Sequence, residues 1–197
     1  LAEIDGVESL RNVVIIGASN REDMIDPAIL RPGRLDVKIR INRPDAAGAE
    51  EILARHLTAD LPLAPAELAG HGGDREATAA SLRRVVVEAL YARNEATAVL
   101  EITEAHTVSG ASTRVLHLAD LTSGAMLAAI VSRAKTASIK DGGEGGLNVA
   151  RLRSAVETEA RQNEEITGAT TPEGWARLIG TRTSQICSVR RLGKEST

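Results

Sequence analysis

The chain has 197 residues, 43% of them apolar and 26% charged, the balance of one folded domain or two small ones around a real apolar core. Its net charge of −3 excludes a global field that would recruit nucleic acid or an anionic membrane. Tyr91 and Trp175 are the only aromatic residues, so the core must come from Leu, Ile, Val and Ala, and base-stacking platforms are excluded.

Cys187 is the single cysteine, which rules out an intrachain disulfide and points to a reducing, cytoplasmic setting. No apolar run approaches the roughly 18–20 residues of a membrane span, so no membrane partner is expected. The chain opens on Leu1 rather than Met, and residue 1 is expected to be an internal position of a longer protein.

Residues 12–17, Asn-Val-Val-Ile-Ile-Gly, form a short β-branched run that suits a strand buried on both faces of a parallel sheet. It ends in the polar turn Gly17-Ala18-Ser19-Asn20, at the strand end where α/β sheets bind ligands. Val37, Ile39 and Ile41 alternate with Lys38 and Arg40 and predict a second strand. Two strands do not make a stable doubly wound sheet, so further strands are expected upstream. Pro44-Asp45 stops the second strand and starts a helix over 46–58, with Ala49, Ile52, Leu53 and Leu57 on one face.

Residues 59–73 are rich in Pro, Gly and Ala and read as a loop. Asp74 caps a helix to about Asn94, with Leu82, Val85, Val86, Ala89 and Leu90 as its stripe. Residues 98–104 and 113–118 lean towards β around a Ser-Gly-Ala-Ser turn and predict a hairpin. A helix follows from Ser123 to Lys140, ended by the glycines at 142, 143, 145 and 146, and Asn148 caps another to about Glu165. Thr171-Pro172 predicts a short helix through Leu178. The tail from Thr181 holds Arg182, Arg190, Arg191 and Lys194, with a weak strand near 185–190.

Residues 26–34, Asp-Pro-Ala-Ile-Leu-Arg-Pro-Gly-Arg, follow a buried strand that ends in Asn20. This segment strongly resembles the second region of homology of AAA ATPases. The resemblance implies an α/β trailing edge of an AAA nucleotide-binding domain, then a mostly helical AAA lid domain with an inserted β-hairpin near 98–118. It sets the divisions at 1–44 for the α/β portion, 45–180 for the lid and 181–197 for a basic C-terminal tail. It implies ATP as cofactor and makes Asn20 the sensor-1 residue that orients the attacking water. Arg31 and Arg34 match the family's paired arginine fingers, planar and permanently charged groups suited to the γ-phosphate of a neighbouring subunit. Thr122-Ser123-Gly124-Ala125-Met126 is similar to the lid segment that packs near adenine and ribose, which assigns Ser123, Gly124 and Ala125 to cofactor binding.

No phosphate-binding loop of the form G-x-x-x-x-G-K-[ST] occurs, and no Asp-Glu pair follows an apolar strand, so no Mg²⁺ ligand is expected in this chain. By itself it is not expected to hydrolyse ATP. The histidines at 56, 71, 106 and 117 are too scattered for a metal site and read as surface or helix-face residues.

Within the AAA proteins the run from Ile16 to Ile41, with Ser19-Asn20-Arg21-Glu22 where most relatives have Thr-Asn-Arg-Pro, is similar to the proteasome-associated ATPases of actinobacteria (Mpa or ARC type). The hairpin before Ser-Gly-Ala and Trp175-Ala-Arg177 fit the same group. Membership implies a subunit of a homohexameric ring that unfolds Pup-tagged proteins and feeds them to the 20S proteasome. It also implies a Tyr-containing docking tail, which Gly193 to Thr197 do not carry. Two other readings stand beside it. One is a non-catalytic ring-assembly module. The other is a different AAA remodeller, Cdc48-like; the membrane-protease branch is disfavoured by the absence of His-Glu-x-x-His.

Overall fold

The computed structural model of the chain describes residues 14–19, 24–31, 34–35, 37–106, 110–141, 145–166 and 186–192. The chain divides into two compact units, Leu1–Asn42 and Arg43–Thr197.

In the first unit, residues 14–19 and 37–42 carry no ladder, although both were expected as strands. A parallel strand takes its hydrogen bonds from neighbours on either side, and no strand among the described residues of this unit supplies them. Val14, Ile16, Ile39 and Ile41 are accordingly more than four-fifths exposed, at 85%, 87%, 83% and 91%. Residues 27–30 form a single hydrogen-bonded turn. Asp26 caps it: its Oδ1 accepts the Ala28 N–H at 2.8 Å, and its carbonyl accepts the Ile29 N–H at 2.9 Å.

The second unit is helical with one small sheet. Helix α1 (Ala46–His56) begins at Asp45, whose Oδ1 accepts the Gly48 N–H at 2.8 Å. A short helix α2 (Pro65–Gly70) interrupts the expected loop. Pro65 at its first position and Glu67 in its first turn were the local signals for it. Helix α3 (Arg75–Tyr91) is capped by Asp74, which accepts the Ala77 N–H at 3.0 Å. Helix α4 (Leu118–Leu121) is a single turn with no sequence periodicity to announce it. Helix α5 (Gly124–Lys140) and helix α6 (Val149–Ile166) follow, α6 capped by Asn148, whose Oδ1 accepts the Arg151 N–H at 2.8 Å. A side-chain oxygen at each of these caps satisfies a donor that the helix leaves open, typically worth about 1 kcal/mol.

Helix α1 packs on α3 and α5, and α6 packs on the same two, so the four long helices close a cycle around one core. Leu53, Leu57, Leu82, Val86, Leu90, Leu127, Ile130 and Leu152 fill it. Each fully buried leucine contributes about 2 kcal/mol, which is how the core dispenses with rings. The expected apolar stripes are confirmed, except that Ile52, Val85 and Ala89 sit at the rim.

Strands β1 (Ala98–His106), β2 (Gly110–His117) and β3 (Ile186–Arg191) form an antiparallel sheet in the order β2-β1-β3. The hairpin is as expected, and the weak strand near the C-terminus is its third member. Leu100, Ile102, Leu116 and Ile186 form a second core, and Leu118 packs against both cores. Arg190 on β3 holds Glu101 on β1 with two bonds of 3.0 Å.

One clamp ties the α1–α2 connection to the α5–α6 connection. The Ala64 N–H donates to the Leu147 carbonyl at 2.9 Å, and the Leu147 N–H donates to the Pro62 carbonyl at 2.7 Å. Gly146 enters this clamp with φ +54, and a Cβ there would lie 2.5 Å from the backbone carbon of Leu63. Of the expected Ser-Gly-Ala-Ser turn, Gly110, Ala111 and Ser112 belong instead to β2, where they pair with His106, Ala105 and Glu104; Ser109, the expected helix at 171–178 and Trp175 lie outside the described residues.

Gly146→Ala combines a left-handed backbone with a backbone clash, and is expected to destabilise the chain by about 3 kcal/mol in urea unfolding. Gly70→Ala, at the end of α2 with nothing within 4 Å of the added carbon, is expected to be neutral or to stabilise by up to about 1 kcal/mol. Equal midpoints for the two variants would contradict the clamp.

Candidate functional site

The candidate side chains fall into two groups, one in each unit. In the first unit, Arg31 and Arg34 share one turn. The Arg34 N–H donates to the Arg31 carbonyl at 3.2 Å, and the Leu35 N–H donates to the Ile29 carbonyl at 3.1 Å. Arg31 is exposed. Arg34 is half-buried, and its Nη1 donates to the Ala28 carbonyl at 2.6 Å. Arg34 thus folds back to brace the turn on which Arg31 is exposed. Asn20, Pro32 and Gly33 lie outside the described residues.

In the second unit, Ser123 caps α5 with its Oγ accepting the Met126 N–H at 3.2 Å, and its carbonyl accepts the Leu127 N–H at 3.1 Å. Gly124 and Ala125 are the first two residues of the helix, whose N–H groups have no intrahelical acceptor. A Cβ at Gly124 would meet only the Ile52 side chain, at an ordinary 3.8 Å. Packing within the chain does not require glycine here. Ser123 and Gly124 are half-buried and Ala125 is exposed.

The turn before Ser123 is anchored by residues that sequence reasoning did not single out. Arg43 Nη1 donates to the carbonyl of Leu121 and, at 3.3 Å, to that of Thr122. Partial burial lowers the Arg43 pKa from its ordinary value. Thr122 is fully buried and donates its N–H and its hydroxyl to the Leu118 carbonyl, both at 2.9 Å. Tyr91 donates its hydroxyl to the Pro44 carbonyl at 2.7 Å, and burial, then the nearby Asp45 charge, raises its pKa. A lone aromatic at the end of a helix was a usable sign of such an anchor. Nothing in the pattern around Arg43 marked it.

Asp120 secures α4 against α3 and β2. It accepts the His117 N–H at 2.9 Å and pairs with Arg93 at 2.8 Å. Burial pushes its pKa up, and the His117 N–H together with the Arg93 guanidinium outweighs that, leaving the carboxyl below its usual range. His117, expected on a surface or helix face, sits instead at the end of β2, with Nδ1 3.2 Å from the Thr97 hydroxyl. Among the described residues no group of three or more His, Cys, Asp or Glu is placed to hold a metal ion. Cys187 is a free, exposed thiol. No helix among the described residues is long and apolar enough to cross a membrane.

Residues 44–197 match the family described as the ARC, AAA+ ATPase lid domain, and residues 1–43 match the ATPase family associated with various cellular activities (AAA). The proteasome-associated ATPase of Acidothermus cellulolyticus is 50% identical over 202 residues, covering 100% of this chain and 34% of that protein. That of Thermobifida fusca is 50% identical over 195 residues, covering 98% and 33% respectively. That of Kineococcus radiotolerans is 48% identical over 202 residues, covering 100% and 34%. The chain thus spans about a third of the length of these relatives.

Because the folded-state pKa of Asp120 is depressed, its contribution is present above the unfolded value of about 3.9 and is lost as pH falls through the folded value. Asp120→Asn is expected to cost about 1 kcal/mol in urea unfolding at pH 7. The gap from the parent chain should close as the pH is taken from about 4 towards 2. A gap independent of pH would show that the charge is not what holds α4.

Proposed function

Since the chain belongs to the AAA ATPases and carries their ARC-type lid, we propose that it forms part of a proteasome-associated ATPase, an ATP-driven protein unfoldase. In this reading residues 1–44 close the α/β nucleotide-binding portion, residues 45–180 are the lid and residues 181–197 a basic tail. The subunits form a homohexameric ring in the cytoplasm that delivers Pup-tagged proteins to the 20S proteasome. The printed names of the relatives support the proteasome as partner. The ring, the tag and the compartment follow from the resemblance of residues 16–41 to that group of ATPases.

The observation that carries the reading is the arginine turn: exposed Arg31 on a loop fixed by Asp26 and by the Arg34 brace. Bound ATP, with Mg²⁺, would supply the phosphoryl group whose transfer to water drives unfolding. Arg31 and Arg34 would present charge to the equatorial oxygens of a neighbour's γ-phosphate, where a fixed guanidinium gains most because negative charge develops there in the transition state. Asn20 would orient the attacking water. Ser123, Gly124 and Ala125 would line the nucleoside in their own subunit. None of these residues replaces a phosphate-binding loop or a metal ligand, so the chain supplies part of each site and the rest of the subunit must supply the remainder.

Fingers donated in trans are worth roughly 10³–10⁵ in rate in well-studied NTPases. Arg31→Ala in the full-length subunit is therefore expected to lower kcat for ATP about 10³-fold while nucleotide affinity changes little. Mixing that variant with subunits disabled in their own phosphate-binding loop, but keeping Arg31 and Arg34, should restore turnover. Undiminished hydrolysis by both Arg31→Ala and Arg34→Ala would overturn the finger assignment and favour a scaffolding role.

A further inference from the structure

The segment that leads into α1 is held at three points. Asp45 caps α1, the Tyr91 hydroxyl bonds the Pro44 carbonyl, and the Arg43 guanidinium bonds the carbonyls of Leu121 and Thr122. The third of these reaches 78 residues along the chain to the turn directly before Ser123. In the same turn the Thr122 N–H and hydroxyl are tied to Leu118, and the Ser123 carbonyl and hydroxyl to the first turn of α5. The Leu121 and Thr122 carbonyls lie past the last helical bonds of α4. Arg43 takes both.

We propose that Arg43 is a positioning residue for the nucleotide-facing end of α5, setting the direction of Ser123, Gly124 and Ala125. The reason is the planarity of the peptide bond. The Thr122 carbonyl and the Ser123 N–H belong to one rigid plane and point in opposite directions, so a donor that fixes the carbonyl fixes the N–H behind it. A planar fork can hold two successive carbonyls in one orientation, whereas an ammonium is a single point charge on a flexible stem. Charge strengthens both bonds, and the one to Thr122 is part-buried, where its carbonyl has less water to turn to. Arg43 is the first residue of the second unit, so one side chain ties the start of that unit to the end of α5. The proposal rests on the assignment of Ser123–Ala125 to the nucleotide.

The test uses the full-length subunit with Arg43→Met, Arg43→Lys and Gly124→Val. Amide hydrogen exchange is followed without nucleotide, and affinity is measured by titration with a fluorescent ATP analogue. Arg43→Met is expected to speed exchange at residues 123–127 while Leu82, Val86 and Leu90 in α3 keep their protection. It should weaken the analogue about tenfold, or roughly 1.4 kcal/mol. Arg43→Lys should fall between it and wild type in both readouts and covers the case in which the methionine variant does not fold. Wild-type exchange at 123–127 in both Arg43 variants would overturn the proposal, and so would exchange that rises equally in α3. Gly124→Val separates the two ideas. If it weakens the analogue while Arg43→Met does not, only the Arg43 proposal falls. If Gly124→Val binds as wild type, the nucleotide assignment falls and takes the affinity half of the proposal with it.

Discussion

The packing of α5 between α1 and α6 is the constraint on which the second unit depends. Leu127, Ile130 and Ala134 occupy one face of α5 without exposure, so the helix cannot rotate about its axis without opening the core. Its direction is therefore set by burial, and its first turn by hydrogen bonds. Those are different kinds of restraint. The hydrophobic contacts are non-directional and tolerate small shifts, while the bonds at Thr122 and Ser123 fix particular peptide planes. A site at the end of a helix needs the second kind.

An almost ring-free core has a consequence for this arrangement. Phe and Trp fill space in bulk, but leucine and alanine must interlock over many small contacts to reach the same density. The four helices therefore lean on connections that hold them at fixed spacing. Leu147 is such a connection, fully buried and bonded on both sides to residues 62 and 64. Leu118 plays a comparable part between the helices and the sheet, since it packs against both cores. The sheet has its own apolar cluster and meets the helices mainly through α4, so it is an attachment to the helical core more than a layer of it.

The sequence announced the long helices and the hairpin because their signals are local. Asp45, Asp74, Ser123 and Asn148 each precede an apolar period of the right length, and each caps its helix in the structure. Short elements were less legible: α2 and α4 are too brief to show a period, and β3 became part of the sheet only through pairing with a strand some 80 residues earlier. The apolar alternation of residues 37–41 is that of a strand, yet a strand is a property of two segments, and no strand among the described residues of the first unit pairs with this one. The candidate site divides in the same way. Arg31 and Arg34 stand out by motif, whereas Arg43 has no motif because its partners lie in a turn far along the chain.

Arginine is where this limit shows most clearly. Arg34, Arg43, Arg75, Arg83 and Arg151 all donate to backbone carbonyls, at Ala28, Leu121 and Thr122, Ala59 and Leu61, Leu57, and Gly146. In a sequence each counts as one surface charge. In the fold each closes carbonyls that a helix end or a turn would leave without a donor: Arg83 does so at Leu57, the C-cap of α1, where the helix dipole favours a cation, and Arg75 in the connection that follows. Exposed Arg31 carries no such tie among the described residues. Each of these five arginines holds backbone in place through at least one of its donors. Arg31 sits on the turn that one of them, Arg34, holds in shape, which leaves its own guanidinium available for a charge outside the chain.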